Sequence, residues 1–188
     1  MSSPLSPAPA PSVEVRPATA ADLPGVAAIF TRYALETQVT FEENGPDVAA
    51  WTARLADLTE RGLPFLVAVD ADGDRGAVPG GRDRHVVGFA YAGPWRAKPA
   101  YRHTVEDTIY LDPAATGRGI GTSLLAALLD ACTAAGVRQV VSVVADVPEA
   151  AGSVPLHRRF GFEHVGRLTA VGLKHGRWVD TILLQRSL

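Results

Sequence analysis

Residues 104–136 read T-V-E-D-T-I-Y-L-D-P-A-A-T-G-R-G-I-G-T-S-L-L-A-A-L-L-D-A-C-T-A-A-G. The first eight alternate as a strand does: Val105, Ile109 and Leu111 share one face, Glu106, Thr108 and Tyr110 the other. Asp112-Pro113 closes the strand. From Gly121 onward, Leu124, Leu125, Leu128, Leu129 and Cys132 recur at helical spacing, and Gly136 supplies the stop. Three glycines, Gly117, Gly119 and Gly121, join the two elements. The β-branched run Gln139–Ala145 predicts the next strand, so a strand–turn–helix–strand unit sits in the middle of the chain.

On the N-terminal side, Val13–Pro17 predicts a short strand, and Thr19 with Asp22 is a capping-box-like start. Leu23, Val26, Ala27, Phe30 and Ala34 then form one face of a first helix. Val48, Trp51, Leu55 and Leu58 form the stripe of a second, ended by Gly62. Phe65–Val69 and His85–Tyr91 read as strands. On the C-terminal side come a short helix, Ser153–Phe160, and two strands, Glu163–Leu173 and Arg177–Gln185. The order β-α-α-β-β-β-α-β-α-β-β lacks strict alternation and predicts an α+β (mixed α/β) fold.

Residues 1–12, rich in Pro, Ser and Ala, read as a disordered tail. They have neither the cationic start nor the apolar centre of a signal peptide. Residues 70–84, full of Gly and Asp, read as a flexible loop between strands without the spacing of a calcium loop. Residues 13–188 are expected to be one domain. Eighteen Lys and Arg against twenty Asp and Glu leave a net charge of −2, which argues against a general nucleic-acid binder. No apolar run is long enough for a membrane span. The single cysteine excludes a disulfide scaffold and a cysteine-based zinc site, and it points to a reducing, cytoplasmic compartment.

The turn Gly117–Thr122 carries the first chemical signal. A helix N-terminus presents unpaired N–H groups and the positive end of the helix dipole, and glycines let a phosphate approach the backbone. The bland alternative is a tight turn needing positive φ. A dinucleotide fingerprint wants Gly where Thr122 stands, and a P-loop wants G-K-[ST]. Glu106 carries the second signal. A strand carboxylate beside a ligand-binding loop can take a proton from a bound nucleophile. Glu106 could equally be an ordinary surface glutamate. Asp107 points to the opposite face and is the poorer candidate. Cys132, on an apolar helix face, reads as core. The cluster Trp95, Arg96, Lys98, Tyr101, Arg102, His103 offers cations and donors to an anionic head group, or else is a basic surface turn.

The chain resembles the GNAT (Gcn5-related N-acetyltransferase) superfamily, whose loop signature [QR]-x-x-G-x-[GA] lies over Thr116–Gly121. More narrowly it resembles the branch acting on phosphinothricin, methionine sulfoximine and methionine sulfone. That likeness rests on A-G-P-W-R-A-K-P-A-Y-R-H-T-V-E-D-T-I-Y-L (92–111), S-V-P-L-H-R-R-F-G-F (153–162) and G-L-K-H-G-R-W-V-D (172–180). It covers roughly residues 13–186.

The resemblance implies a mostly antiparallel twisted sheet of about seven strands, splayed in the middle and flanked by about four helices. It implies acetyl-CoA as cosubstrate, no metal, and a homodimer. Glu106 would be the general base for direct attack by an α-amino group. Main chain at Ile109, Tyr110 and Leu111 would meet the pantetheine arm. Gly117, Arg118, Gly119, Ile120, Gly121 and Thr122 would hold the pyrophosphate, with Ala150 and Arg159 also bordering the coenzyme. Phe41, Arg96, Lys98, Pro99, Ala100, Tyr101 and Lys174 would face the substrate. Lys174, with His175 and Arg177, serves either the pocket or a dimer contact. His157 stands where many relatives place an acidic Tyr, and is either a general acid or a core or capping histidine.

Two departures bear on cofactor affinity without touching the loop amides. Thr116 replaces Gln or Arg, and Ala150 replaces an Asn that contacts coenzyme A in the family. Residues 146–152 are also about two residues longer than usual. Acetylation of another small amine, or acyl-CoA binding without catalysis, are the competing expectations.

Overall fold

The computed structural model describes residues 13–70 and 85–188. The expected tail and most of the expected 70–84 loop lie outside the described residues. Seven strands form one sheet: β1 (Val13–Pro17), β2 (Phe65–Asp70), β3 (His85–Pro94), β4 (Thr104–Leu111), β5 (Gln139–Ala145), β6 (Glu163–Lys174) and β7 (Arg177–Ser187). Their order is β1-β2-β3-β4-β5-β7-β6. Every pairing is antiparallel except β4 with β5. The four α-helices are α1 (Leu23–Glu36), α2 (Val48–Glu60), α3 (Ile120–Ala134) and α4 (Ser153–Arg159). The α+β expectation, its seven strands and its four helices are all met among the described residues.

Two apolar cores lie on opposite faces of the sheet. Leu124, Leu125, Leu128, Leu129 and Cys132 of α3 pack on Val105, Val140 and Leu184. Leu23, Val26 and Phe30 of α1 and Trp51 of α2 pack on Val67 and Phe89. Each such fully buried side chain contributes roughly 1.5–3 kcal/mol. The β4-to-β5 connection must cross over because those strands are parallel, and α3 makes that crossover. Its N-terminus is thereby set at the C-terminal end of β4.

Asp22 fixes the start of α1. It accepts from the Thr19 N–H (2.8 Å) and from both terminal nitrogens of Arg16 (2.7 and 2.8 Å). The Arg16 hydrogen bond, opposed by burial and reinforced by Thr19, lowers its pKa to about 2.

Candidate active site

β4 and β5 pair only from Thr104–Asp107 against Gln139–Ser142. Beyond Asp107, β4 stays on β3 as far as Leu111, while β5 stays on β7 as far as Ala145. The two strands part, and a cavity of about 730 Å³ fills the gap between Thr108–Leu111 and Ser142–Ala145. The Tyr33 hydroxyl donates to the Leu111 carbonyl at 2.9 Å and secures the open end of β4. This parting is the expected splay.

Backbone parity says which groups face the gap. The Trp95 N–H donates to Thr104 O, and the Asp112 N–H to Val87 O. Even-numbered residues of β4 therefore exchange bonds with β3, and odd-numbered ones turn toward β5. Accordingly His103 O accepts from the Arg138 and Gln139 amides. Past Asp107, the N–H groups of Ile109 and Leu111 look into the gap and meet no strand. An extended chain with amide groups could pair there as an added strand.

The glycine turn closes one end of the gap. Gly119 caps α3 at φ 79°, a left-handed conformation that suits glycine, and a side chain there would meet open space. The first amides of α3, on Ile120, Gly121 and Thr122, lack intrahelical acceptors. Gly117, Gly119, Gly121 and Thr122 border the cavity, as do Thr116, Ala150 and Arg159. Arg159 also donates to the Thr122 hydroxyl at 3.4 Å. The Ile120 side chain is core, so only its backbone is available to a ligand. Arg118 is turned away: it pairs with Asp70 of β2 at 2.8 Å and is not part of the cavity wall.

Glu106 borders the same cavity from the α1/α2 side of the sheet. Burial raises its pKa above the usual carboxylate range, the charge of Asp107 adds to this, and Arg96 opposes it. Beside it Tyr110 packs against Phe30, Tyr33 and Phe89. Arg54 of α2, unremarked in the sequence, also lines this side. It donates to the Tyr91 hydroxyl at 2.8 Å and lies over the Trp51 ring.

Phe41 is on the wall, its ring laid across Gly172 so closely that a Cβ there would fall 2.4 Å from it. Lys174 is not on the wall. It is buried, its ammonium donates to Thr40 O at 2.7 Å, and its own carbonyl accepts from Gln38 at 3.2 Å. Lys174 thus holds the 37–43 segment against β6.

Arg96, Lys98, Pro99 and Tyr101 line a separate concavity of about 270 Å³, with Ala100 beside them on the turn Pro99–Tyr101. Of this group, Arg96 is near enough for its charge to act on Glu106.

On the α3/α4 side, His157 and Asp107 meet inside the wall, their side chains 1% exposed. Nε2 lies 2.8 Å from Asp107 Oδ2 and 3.1 Å from Ser142 Oγ, so a hydrogen on it is within reach of both. Nδ1 donates to Ser153 O at 2.8 Å. Burial works against the imidazolium, but the hydrogen bond and charge of Asp107 outweigh it, and the pKa is raised. Asp107, set aside in the sequence because it faces away from Glu106, is therefore part of the wall: the parted strands open the cavity to both faces. Cys132 is buried, its thiol pushed up to about 12 by burial and by Asp107, which suits core packing and not nucleophilic attack.

Among the described residues no cluster of His, Cys, Asp and Glu could hold a metal, and no helix is long and apolar enough to cross a membrane. The profile of the Acetyltransferase (GNAT) family matches residues 30–162. A phosphinothricin N-acetyltransferase of Alcaligenes faecalis is 40% identical over 89% of this chain and 78% of its own. An L-methionine sulfoximine/L-methionine sulfone acetyltransferase of Pseudomonas aeruginosa is 36% identical over 94% of this chain and 95% of its own. The crystal structure of a phosphinothricin acetyltransferase from Sinorhizobium meliloti, in complex with acetyl-CoA, superposes with a TM-score of 0.83. It is 41% identical, covering 94% of this chain and 88% of that one.

Proposed function

This chain belongs to the GNAT family of acetyltransferases, and we propose that it transfers acetyl from acetyl-CoA to the α-amino group of a small amino-acid-like substrate of the phosphinothricin, methionine sulfoximine or methionine sulfone type. One observation carries the reading: a single cavity joins the α3 amides, the free β4 backbone and Glu106. Acetyl-CoA supplies an activated acyl group and a diphosphate by which to hold it.

The residues fit that molecule. The amides of Ile120, Gly121 and Thr122, with Arg159 beside them, suit the diphosphate. Ile109 and Leu111 offer N–H groups to the amide-bearing arm and, at its end, to the carbonyl oxygen as charge develops there. Glu106 takes the proton from the substrate ammonium, and its raised pKa brings it nearer to that of the amine. Arg54 is the cation on the Glu106 side of the wall and suits the substrate's anionic group. Phe41 covers the apolar part.

The enzyme acts in the cytoplasm, with Cys132 reduced. It works as a homodimer, whose contact we place on the exposed apolar row Val165, Leu168, Val171, Leu173 and Trp178 of β6 and β7.

The test is thiol release from acetyl-CoA with phosphinothricin, methionine sulfoximine, methionine sulfone, ordinary amino acids and a polyamine in parallel. Turnover on the first three, lost in Glu106→Gln, is expected. Acetyl-CoA binding without turnover on any amine would overturn the reading in favour of a non-catalytic acyl-CoA binder.

A further inference from the structure

We infer that Asp107 is a positioning residue that keeps His157 loaded with a proton for the departing thiolate, with Ser142 as the group that hands it over. The inference rests on the acetyl-transfer reading above.

The hydrogen-bond partners themselves count the protons. The Ser153 carbonyl can only accept, so Nδ1 carries a hydrogen. A carboxylate oxygen 2.8 Å from Nε2 requires a second hydrogen between them. Asp107 and His157 together therefore hold one proton more than a carboxylate beside a neutral imidazole. The pair is sealed from bulk water yet borders the cavity, and so does Ser142. The Ser142 hydroxyl, 3.1 Å from Nε2, is the one side chain on that nitrogen able both to accept a proton and to give one. No donor among the described residues reaches the second, buried oxygen of Asp107, Oδ1.

The step balances. The ammonium gives one proton to Glu106, which passes it to solvent; the freed amine nitrogen then bonds to the acyl carbon and gives a second proton to Glu106. The carbon–sulfur bond breaks, and its electron pair stays on sulfur. His157 passes the Nε2 proton to Ser142 Oγ as Ser142 passes its own to sulfur. Glu106 later releases its proton to solvent, and the pair is refilled from solvent. Base and acid thus work from opposite faces of one strand.

The neighbours are few. Cys132 of α3 and Glu106 of β4 feel the charge of Asp107, and Arg159 lies two residues along α4. From beyond α4, the Phe162 ring meets the imidazole edge-on at 5.0 Å.

The test combines ¹⁵N NMR of His157 with the pH profile of kcat for wild type, Asp107→Asn and Ser142→Ala. In wild type both ring nitrogens should stay protonated at neutral pH. In Asp107→Asn, Nε2 should lose its hydrogen and the alkaline limb of kcat should move to lower pH, while the acid limb, set by Glu106, should also move down as the neighbouring Asp107 charge is lost. kcat should fall about 10²-fold with KM for acetyl-CoA unchanged. That is the low end for a general acid, because a thiolate of pKa about 8.5 already leaves fairly well. Ser142→Ala should leave His157 doubly protonated and still lower kcat.

An Asp107→Asn enzyme whose His157 remained doubly protonated, or whose alkaline limb stayed in place, would overturn the proposal. So would full activity in Ser142→Ala. If Asp107→Asn does not fold, Ser142→Ala decides the matter alone. A wild type that acetylated no amine would overturn the acetyl-transfer reading and the catalytic part of this one. The spectrum would still decide whether the pair holds the proton.

Discussion

Glu106 and Asp107 are neighbours in the chain and face opposite sides of the sheet, yet both border one cavity because β4 and β5 part just beyond them. Burial and the adjacent Asp107 charge raise the pKa of Glu106. Glu106→Gln should lower kcat by about 10²- to 10⁴-fold, the usual contribution of a general base, with little change in KM for acetyl-CoA. In wild type the acid limb of kcat/KM should lie above the ordinary carboxylate range. It should vanish in the variant, as thiol release across a pH series would show.

Arg54 should set the preference for anionic amines. Arg54→Ala removes a charge-assisted hydrogen bond of about 1.5–3 kcal/mol, so KM for amino-acid-like substrates should rise about ten- to hundredfold. KM for acetyl-CoA and turnover of a polyamine should hardly change. Equal losses on every amine would mean that Arg54 only braces Tyr91.

Gly172→Ala should push Phe41 off its seat. The ring is an exposed side-chain end and can swing away, so thermal stability should change by no more than about 0.5 kcal/mol. The amine KM should rise while the acetyl-CoA KM holds. Initial-rate kinetics with each substrate varied in turn would separate the two.

Asp22 ties stability to pH. Its pKa is about 2 in the fold against an ordinary 3.8, so its stabilisation is present above the ordinary value and lost as pH falls toward 2. The difference corresponds to about 2 kcal/mol at neutral pH. Asp22→Asn should be less stable than wild type by about that amount at pH 7. The two proteins should converge near pH 2 in denaturant titrations.

Much of this was legible in short stretches. The leucines of α3 repeat within one helix, and Gly117–Thr122 and Glu106 lie within sixteen residues of one another. What escaped depends on distant partners. Arg54 has meaning only through Tyr91, 37 residues away, and Asp107 only through His157, 50 away. Facing away from Glu106 counted against Asp107, because nothing local says where β4 stops pairing with β5. Lys98 and Tyr101 seemed part of the pocket because they adjoin Glu106 in sequence, but the turn Pro99–Tyr101 carries them to the second concavity. Lys174 was legible as a cation in a motif, and its burial under Thr40 was not.

The Lys174–Thr40 contact spans 134 residues and joins residues 37–43 to the last hairpin of the chain. Contacts of such separation bear the largest loop-closure cost and tend to form late, whereas β4, its glycine turn and α3 are contiguous. During synthesis the half of the pocket for the acyl donor can be built well before the half for the acceptor. A nascent chain can thus hold β4, the glycine turn and α3 before residues 37–43 are seated on β6. Pulsed hydrogen exchange during refolding should accordingly protect Ile120–Ala134 ahead of residues 37–43.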